Sequence, residues 1–344
     1  MARTLEPAPA ALVNEGQITF GVFDTPVRNV NIQDAEQYRG AGRLRLKQWL
    51  GFAIEHPDWH MCVFLLHAGY LSSATVYAYH KPTRRIVQYA RVFPPGAPHL
   101  ARNLYDDHCD FHAPGFSVIM HNHADRGFHT LCVRVPEKIG RPGLHMDLTL
   151  EEDLSRVTPL VASLPLTNNR TMFTHKAPMP LSGKARVGGE RITFDPDRDV
   201  AIMDEHKSFL FGPVVWTWAT CAGRAADGRL VGLNLGDHAT IEDQEQWSEN
   251  CLWAGDTLNL LGPAAFDFSP KHPARPWLIR DTQSRVNLTF FPHGRMDANH
   301  NLGPIRMNYC QMNGRFQGTA VDNFGKTIVI EDFPGVAETM DARF

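Results

Sequence analysis

The sequence predicts an all-β chain arranged as two barrel or sandwich halves, and three observations carry that expectation. Apolar and aromatic residues alternate with others over short stretches, as in 71–80 and from Val214 through Trp216 and Trp218 to Thr220. A period of two puts one set of side chains on one face of a strand. The 24 prolines and 27 glycines are spread along the chain, which fits many turns between short strands better than long helices. Strands so short and so numerous must close or cover their edges, as barrels and sandwiches do.

Taken in order, residues 1–16 form a loose lead-in rich in Ala and Pro, and 18–23 is the first strand. Over 34–50 a helix competes with a strand, because Leu44, Leu46, Trp49 and Leu50 fit neither period cleanly; a helix there would close one barrel end. Consecutive hairpins follow at 60–68, 71–80 and 85–93, then 116–122 with 128–135, then 145–150. Residues 155–182 hold several Pro and Asn and few long apolar runs, and are expected to connect the halves. The division is placed so that 1–165 and 166–344 form the two domains. In the second half a Gly188-Gly189 turn lies within 184–195, and strands are expected at 199–204, 214–222 and 229–235. A further hairpin turns at Ala254-Gly255-Asp256, and the last strands are 277–280, 285–291 and 307–321.

The chain is organised around 204–250. Trp216 and Trp218 share a strand face, Asp227-Gly228 signals a hairpin, and the returning strand separates Leu233 and Leu235 from Asn234. The faces of Trp216, Trp218 and Asn234 are expected to meet in a cavity of the second barrel. A sheet core with large aromatics is the alternative on sequence alone.

Composition excludes several function classes. A net charge of -3 with 21% charged residues gives no electrostatic case for nucleic acid. No apolar run reaches the roughly 20 residues that span a bilayer, and the N-terminus lacks a secretory pattern, so a cytoplasmic protein without membrane insertion is expected. The six cysteines are scattered with no C-x-x-C pair, which argues against a zinc ribbon and a disulfide framework. No G-x-S-x-G elbow, phosphate loop or G-x-G-x-x-G appears, so no cofactor is expected.

Asp204, the Trp216-Thr217-Trp218-Ala219 strand, Gly232-Leu233-Asn234-Leu235, Glu249-Asn250, Phe173-Thr174-His175-Lys176 and Gly314-Arg315-Phe316-Gln317-Gly318 together resemble an uncharacterised bacterial family, a domain of unknown function. That family is similar, distantly, to two-domain lipocalin-like proteins of the carotenoid 1,2-hydratase and AttH type, and to some pericyclase-type cyclases. The resemblance is most specific over 173–318. It implies two consecutive lipocalin-like (calycin) β-barrels with a ligand cavity within or between them.

Three constellations offer chemistry. Asp204 and His206 share a strand face; a carboxyl in an apolar cavity has its pKa raised and can donate a proton near neutrality, and indole faces stabilise a developing cation. Trp247, Glu249 and Asn250 place a carboxylate beside an amide able to orient a hydroxyl or carbonyl. His121, His123 and His129 invite a metal, although no acidic residue or fourth histidine follows at a cupin-like spacing, and no metal is assigned. The expectation is a cofactor-independent acid–base enzyme of lyase, hydratase or isomerase/cyclase type, acting on a hydrophobic or aromatic small molecule. Asp204, Glu249 and His206 would be catalytic. Trp216, Trp218, Asn234, Asn250, Trp247, His121 and His123 would bind substrate. A carrier of a hydrophobic ligand is the alternative, and a homodimer is left open. A solvated strand end at 204–207 and a buried network at Glu249 are the structural alternatives.

Overall fold

The computed structural model describes residues 3–166, 170–303 and 305–343, and apart from four short 3-10 turns their elements are strands. The strands form two large curled sheets. The first is thirteen-stranded and runs, in spatial order, Arg85–Phe93, Ser72–His80, Trp59–His67, Leu46–Glu55, Val200–Phe209, Arg170–Val187, Leu144–Glu151, Phe128–Val135, Phe116–His123 and His108–Ala113, with the remaining strands pairing off Arg170–Val187 and Leu160–Leu166. The second is nine-stranded, with Pro213–Arg224 and Thr327–Arg343 at its centre. Both ends of each sheet contribute to one apolar cluster: Phe52, Met61, Val118, Leu131 and Met203 meet in the first, and Leu233, Leu252, Trp277 and Phe290 in the second. The chain is therefore all-β, with two consecutive lipocalin-like halves. All six cysteines are free thiols, and no helix of the described residues is long and apolar enough to cross a membrane.

Most expected hairpins form within a residue or two of their expected ends, and 85–93 and 128–135 match at both. Two strands run well past their expected ends, Val200–Phe209 and Val286–Leu302, and three regions differ in kind. Residues 32–44 make 3-10 turns, and the strand Leu46–Glu55 follows instead of a helix. From Leu46 the period is two: Leu50, Phe52 and Ile54 enter the first core while Trp49 turns the other way. The expected connection at 155–182 instead holds the strands Leu160–Leu166 and Arg170–Val187. Its prolines are tolerated for a local reason. Leu160–Leu166 pairs only as far as Lys176 and Leu144–Glu151 only from Leu181, so Pro178 and Pro180 have a strand on one side alone. The division expected after residue 165 does not coincide with the change of sheet, which falls between Phe209 and Pro213. The closing strand Thr327–Arg343 has no counterpart among the expected elements.

The sheets pack face to face through alternating residues. Val214 and Trp216 join Trp49, Leu160, Met172 and Trp253 in one shared apolar cluster, and Ala222 meets Val200 and Ile202 in another. Polar contacts cross the same junction. Tyr77 donates to Gln311 Oε1 at 2.5 Å, and Tyr79 to the His293 carbonyl at 3.2 Å. Gly294, at a register shift in its strand, permits the second contact: a Cβ there would lie 2.7 Å from the Tyr79 ring and 2.5 Å from the Asn313 amide nitrogen. Gly294→Val is expected to cost about 1–3 kcal/mol, the usual range for overpacking. Urea denaturation checks it; an unchanged midpoint would mean the ring is not held there.

Candidate functional site

The site is assembled by alternation on two neighbouring strands. In Val200–Phe209, Ala201 and Met203 enter the first core, so Asp204 and His206 fall on alternate sides from Glu205 and Lys207, with Asp204 and His206 facing the second sheet. In Arg170–Val187, Thr174 and Lys176 take that same outer face and stand directly opposite His206 and Asp204 in the ladder. From the second sheet, Trp216 and Trp218 project toward them, because Ala219 and Cys221 on the other face fill the second core. These side chains therefore meet between the halves and not inside the second barrel, where they were expected.

Lys176 is the centre of the arrangement. Its side chain is 1% exposed, and Nζ lies 2.9 Å from Asp204 Oδ1 and 2.9 Å from Glu249 Oε2. It also sits 4.6 Å from the ring centre of Trp218, a cation–π contact. His206 Nε2 is 3.2 Å from Asp204 Oδ1 and 3.7 Å from Glu249 Oε2, and its ring stacks on Trp49 with centroids 4.4 Å apart. The Trp49 indole donates to Asp204 Oδ2 at 2.9 Å. His238 Nε2 is 3.0 Å from Glu249 Oε1. Trp216 stacks at 6.2 Å on Trp49 and donates to Glu338 Oε1 at 3.1 Å. Glu338 also accepts from Tyr309 and from Gln311 Nε2.

Electrostatics separate the carboxyl groups. Burial alone would raise Asp204, but Lys176 and His206 overrule it and hold its pKa well below the ordinary carboxylate range. Glu249 behaves likewise: burial opposes, and Lys176 and His238 bring it down. Burial would lower Lys176, yet the two carboxylates raise it. Glu338 has no such cation. Burial raises it, and its donors Tyr309, Trp216 and Gln311 offset this only in part. The expectation that Asp204 is a raised, proton-donating carboxyl is thus corrected. Lys176 makes it an anion, and the raised carboxyl is Glu338.

Asp204 keeps 22% of its side chain exposed while Lys176, Glu249 and His206 are nearly closed off. Its ladder neighbour on the other side is Gly51, over which the Phe64 ring leans, 3.0 Å from where a Cβ would stand. His206 Nδ1 is buried and has no hydrogen-bonding partner. The Asp204 carboxylate beside Nε2 favours a proton on that nitrogen, and in the corresponding neutral tautomer Nδ1 carries the lone pair.

Of the expected site residues, Asp204, Glu249, His206, Trp216, Trp218 and Asn234 are brought together. Asn234 and Asn250 spend their amides on the protein: Asn234 accepts from Trp218 at 2.8 Å and donates to the Glu249 carbonyl, while Asn250 accepts from the Gly236 N–H and donates to the Gly262 carbonyl. They position the site. Trp247 packs into the shared apolar cluster with Trp49 and Trp216. His121 and His123 lie elsewhere, on the outer face of the first sheet. His129 faces the opposite way, because its ladder partner is the buried Asn122, and it bonds Glu152 at 2.7 Å. That trio does not converge. Lys176, Trp49, His238, Glu338, Tyr309 and Gln311 were not anticipated. For Lys176 the missed signal is its register: one strand with Asp204 and His206 on one face needs a neighbour carrying the matching cation.

Comparison with known proteins places the chain. The family described as Domain of unknown function (DUF2804) matches residues 4–344. No curated protein matches. Kievitone hydratase from Nectria haematococca is 10% identical, with a TM-score of 0.52 over 87% of this chain and 88% of that one. CghA solved with Sch210972 is 12% identical, with a TM-score of 0.51 over 87% and 88%. At this identity the likeness is one of fold.

The ion cluster has a pH signature. Depressed carboxyls stabilise the fold above their unfolded pKa, and that contribution is lost as pH falls from about 4.5 toward the lower folded values. Raised Lys176 contributes at all pH below about 10 and loses its contribution only above that. Lys176→Met should therefore cost about 3–5 kcal/mol near neutrality, as for a buried charge left unpaired, and less as acid neutralises both carboxyls. Denaturant melts across pH check this. A loss that stays constant on acidification would refute the pairing.

Proposed function

We propose, from the premise that this chain belongs to the DUF2804 family, that it is an acid–base enzyme of hydratase or lyase type acting on an unsaturated hydrophobic small molecule, with its proton transfers made by side chains alone. The observation that carries the reading is the Asp204–His206 pair: an imidazole held by a carboxylate on one nitrogen, with the other nitrogen buried and unpartnered, beside a wall of indoles. The fold shared with kievitone hydratase, an enzyme named for hydrating kievitone, supports it.

In the hydration direction, Glu338 gives its proton to one carbon of the double bond, and the cation that develops on the other rests against Trp216 and Trp49. His206 takes a proton from the water whose oxygen bonds to that carbon, and Asp204 stabilises the imidazolium. The product is the alcohol, and the proton gained by His206 returns to Glu338 through solvent. Dehydration is the reverse. Lys176 keeps Asp204 and Glu249 ionised throughout, so the two ends of the site hold opposite proton states.

A carrier is the second reading, favoured by one observation: a cavity of about 460 Å3 on the first half, lined by Val30, Ile32, Leu46 and Leu100 among polar residues.

The two part in one experiment. The protein is incubated in 18O-water with a panel of phenolic and isoprenoid alkenes, and the products are read by mass spectrometry. A hydratase adds one labelled water; a carrier returns its ligand unchanged. Asp204→Asn, His206→Gln and Glu338→Gln should each lower the rate at least ~100-fold, the usual share of acid–base catalysis. Full turnover in all three would remove the mechanism.

A further inference from the structure

We infer that His99, Asp107 and His108 form a divalent transition-metal site on the first half, separate from the junction described above. One donor atom from each lies within 4.8 Å of the other two. His99 Nε2 is 3.7 Å and His108 Nδ1 3.5 Å from Asp107 Oδ1. Ligand atoms about 2.0–2.2 Å from zinc stand roughly 3.4 Å apart at the corners of a tetrahedron. A shift of a few tenths of an ångström brings the two edges to Asp107 to that spacing, and the His99–His108 edge, within 4.8 Å, closes by ring rotation.

The backbone holds the ligands in place. His99 and Asp110 exchange both main-chain hydrogen bonds, at 2.9 and 3.0 Å. Asp107 accepts from the Arg102 N–H at 2.7 Å and the His108 N–H at 2.8 Å, and its carbonyl accepts from Asn122. The loop carrying the carboxylate is thus tied to the strand carrying the imidazole. An outer partner stands close by: His108 Nε2, the nitrogen left free when Nδ1 binds a metal, is 3.9 Å from Asp110 Oδ2, which must close by about 1 Å to accept its hydrogen bond. A carboxylate in that position fixes the ring and raises its basicity as a ligand.

Two imidazoles and one carboxylate suit zinc, with cobalt and nickel as close substitutes. Three protein ligands leave a fourth position. His99 and Arg102 also line the 460 Å3 cavity, so the ion stands at its rim, where a water or an anionic group of a cavity ligand completes the shell.

The test uses the untagged full-length protein, because a histidine tag would mask the result. Zinc chloride titrated calorimetrically is expected to bind one ion per chain with micromolar or tighter affinity, and cobalt to give the intense visible bands of a tetrahedral site. His99→Ala and His108→Ala should each weaken binding at least ~10-fold, and Asp110→Asn about 10-fold, as outer partners do. His272→Ala, at a distant turn, should leave it unchanged. Absence of stoichiometric binding below about 1 mM overturns the site. So does binding that survives in the His99→Ala/His108→Ala double variant, or that falls equally in His272→Ala. The readout is binding, so it stands apart from any outcome at the junction.

Discussion

One buried ammonium holds the two halves of this molecule to a common purpose. Taking Lys176 out of water costs several kcal/mol, and the cost is offset only if opposite charges meet it at close range. One of those charges, Asp204, belongs to the first sheet, and the other, Glu249, comes from the loop before Cys251–Ala254 of the second. Neither sheet alone supplies both. The seating of the sheets, the ionised state of two carboxyls and the tilt of Trp218 beneath the ammonium follow from one set of contacts. So does the asymmetry that leaves Glu338, without a cation of its own, as the carboxyl that keeps its proton longest.

The strands that carry this clasp are walls with chemistry on both sides. Their outward residues are Thr174, Lys176, Asp204 and His206; their inward ones are His175, Glu205 and Lys207. On the inner side Glu152, fully buried, lies 2.6 Å from His175 and 2.7 Å from His129. Burial would raise Glu152, but the two imidazoles bring it down to about 2, and His175 is raised in return by Glu152 despite burial. Lys207 pairs with Glu205 beside it and lines the cavity. Charged residues on both faces of central strands are costly unless each face finds its partners, and here each face does. The same alternation sets the His206 imidazole beside the Asp204 carboxylate on one face of the wall.

How far the site was legible follows from which physical rule governed each residue. The shared faces of Asp204 with His206 and of Trp216 with Trp218 were legible because strand alternation is written in the sequence, and alternation alone says which residues share a face. Lys176 was missed because the pairing of Arg170–Val187 with Val200–Phe209 is set by sheet order. Its two prolines also made that segment look like a loop, and the one-sided pairing that excuses them is not a local property. The pKa of Asp204 was inverted for the same reason: an apolar hollow and an apolar hollow containing a lysine predict opposite shifts. His121, His123 and His129 looked convergent by spacing, but the turn between their strands set His129 on the other face.

The sequence by itself determined the period-two strands, the turns that separate them and hence an all-β chain of two curled halves, since these depend on neighbours a few residues apart. Only the tertiary structure decided which strand lies beside which, that the site residues meet between the halves, and which carboxyls are ionised there. Those outcomes rest on contacts between residues such as Trp49, Lys176, Asp204 and Glu249, which lie far apart in the chain, and the energy of a buried charge depends on everything that surrounds it.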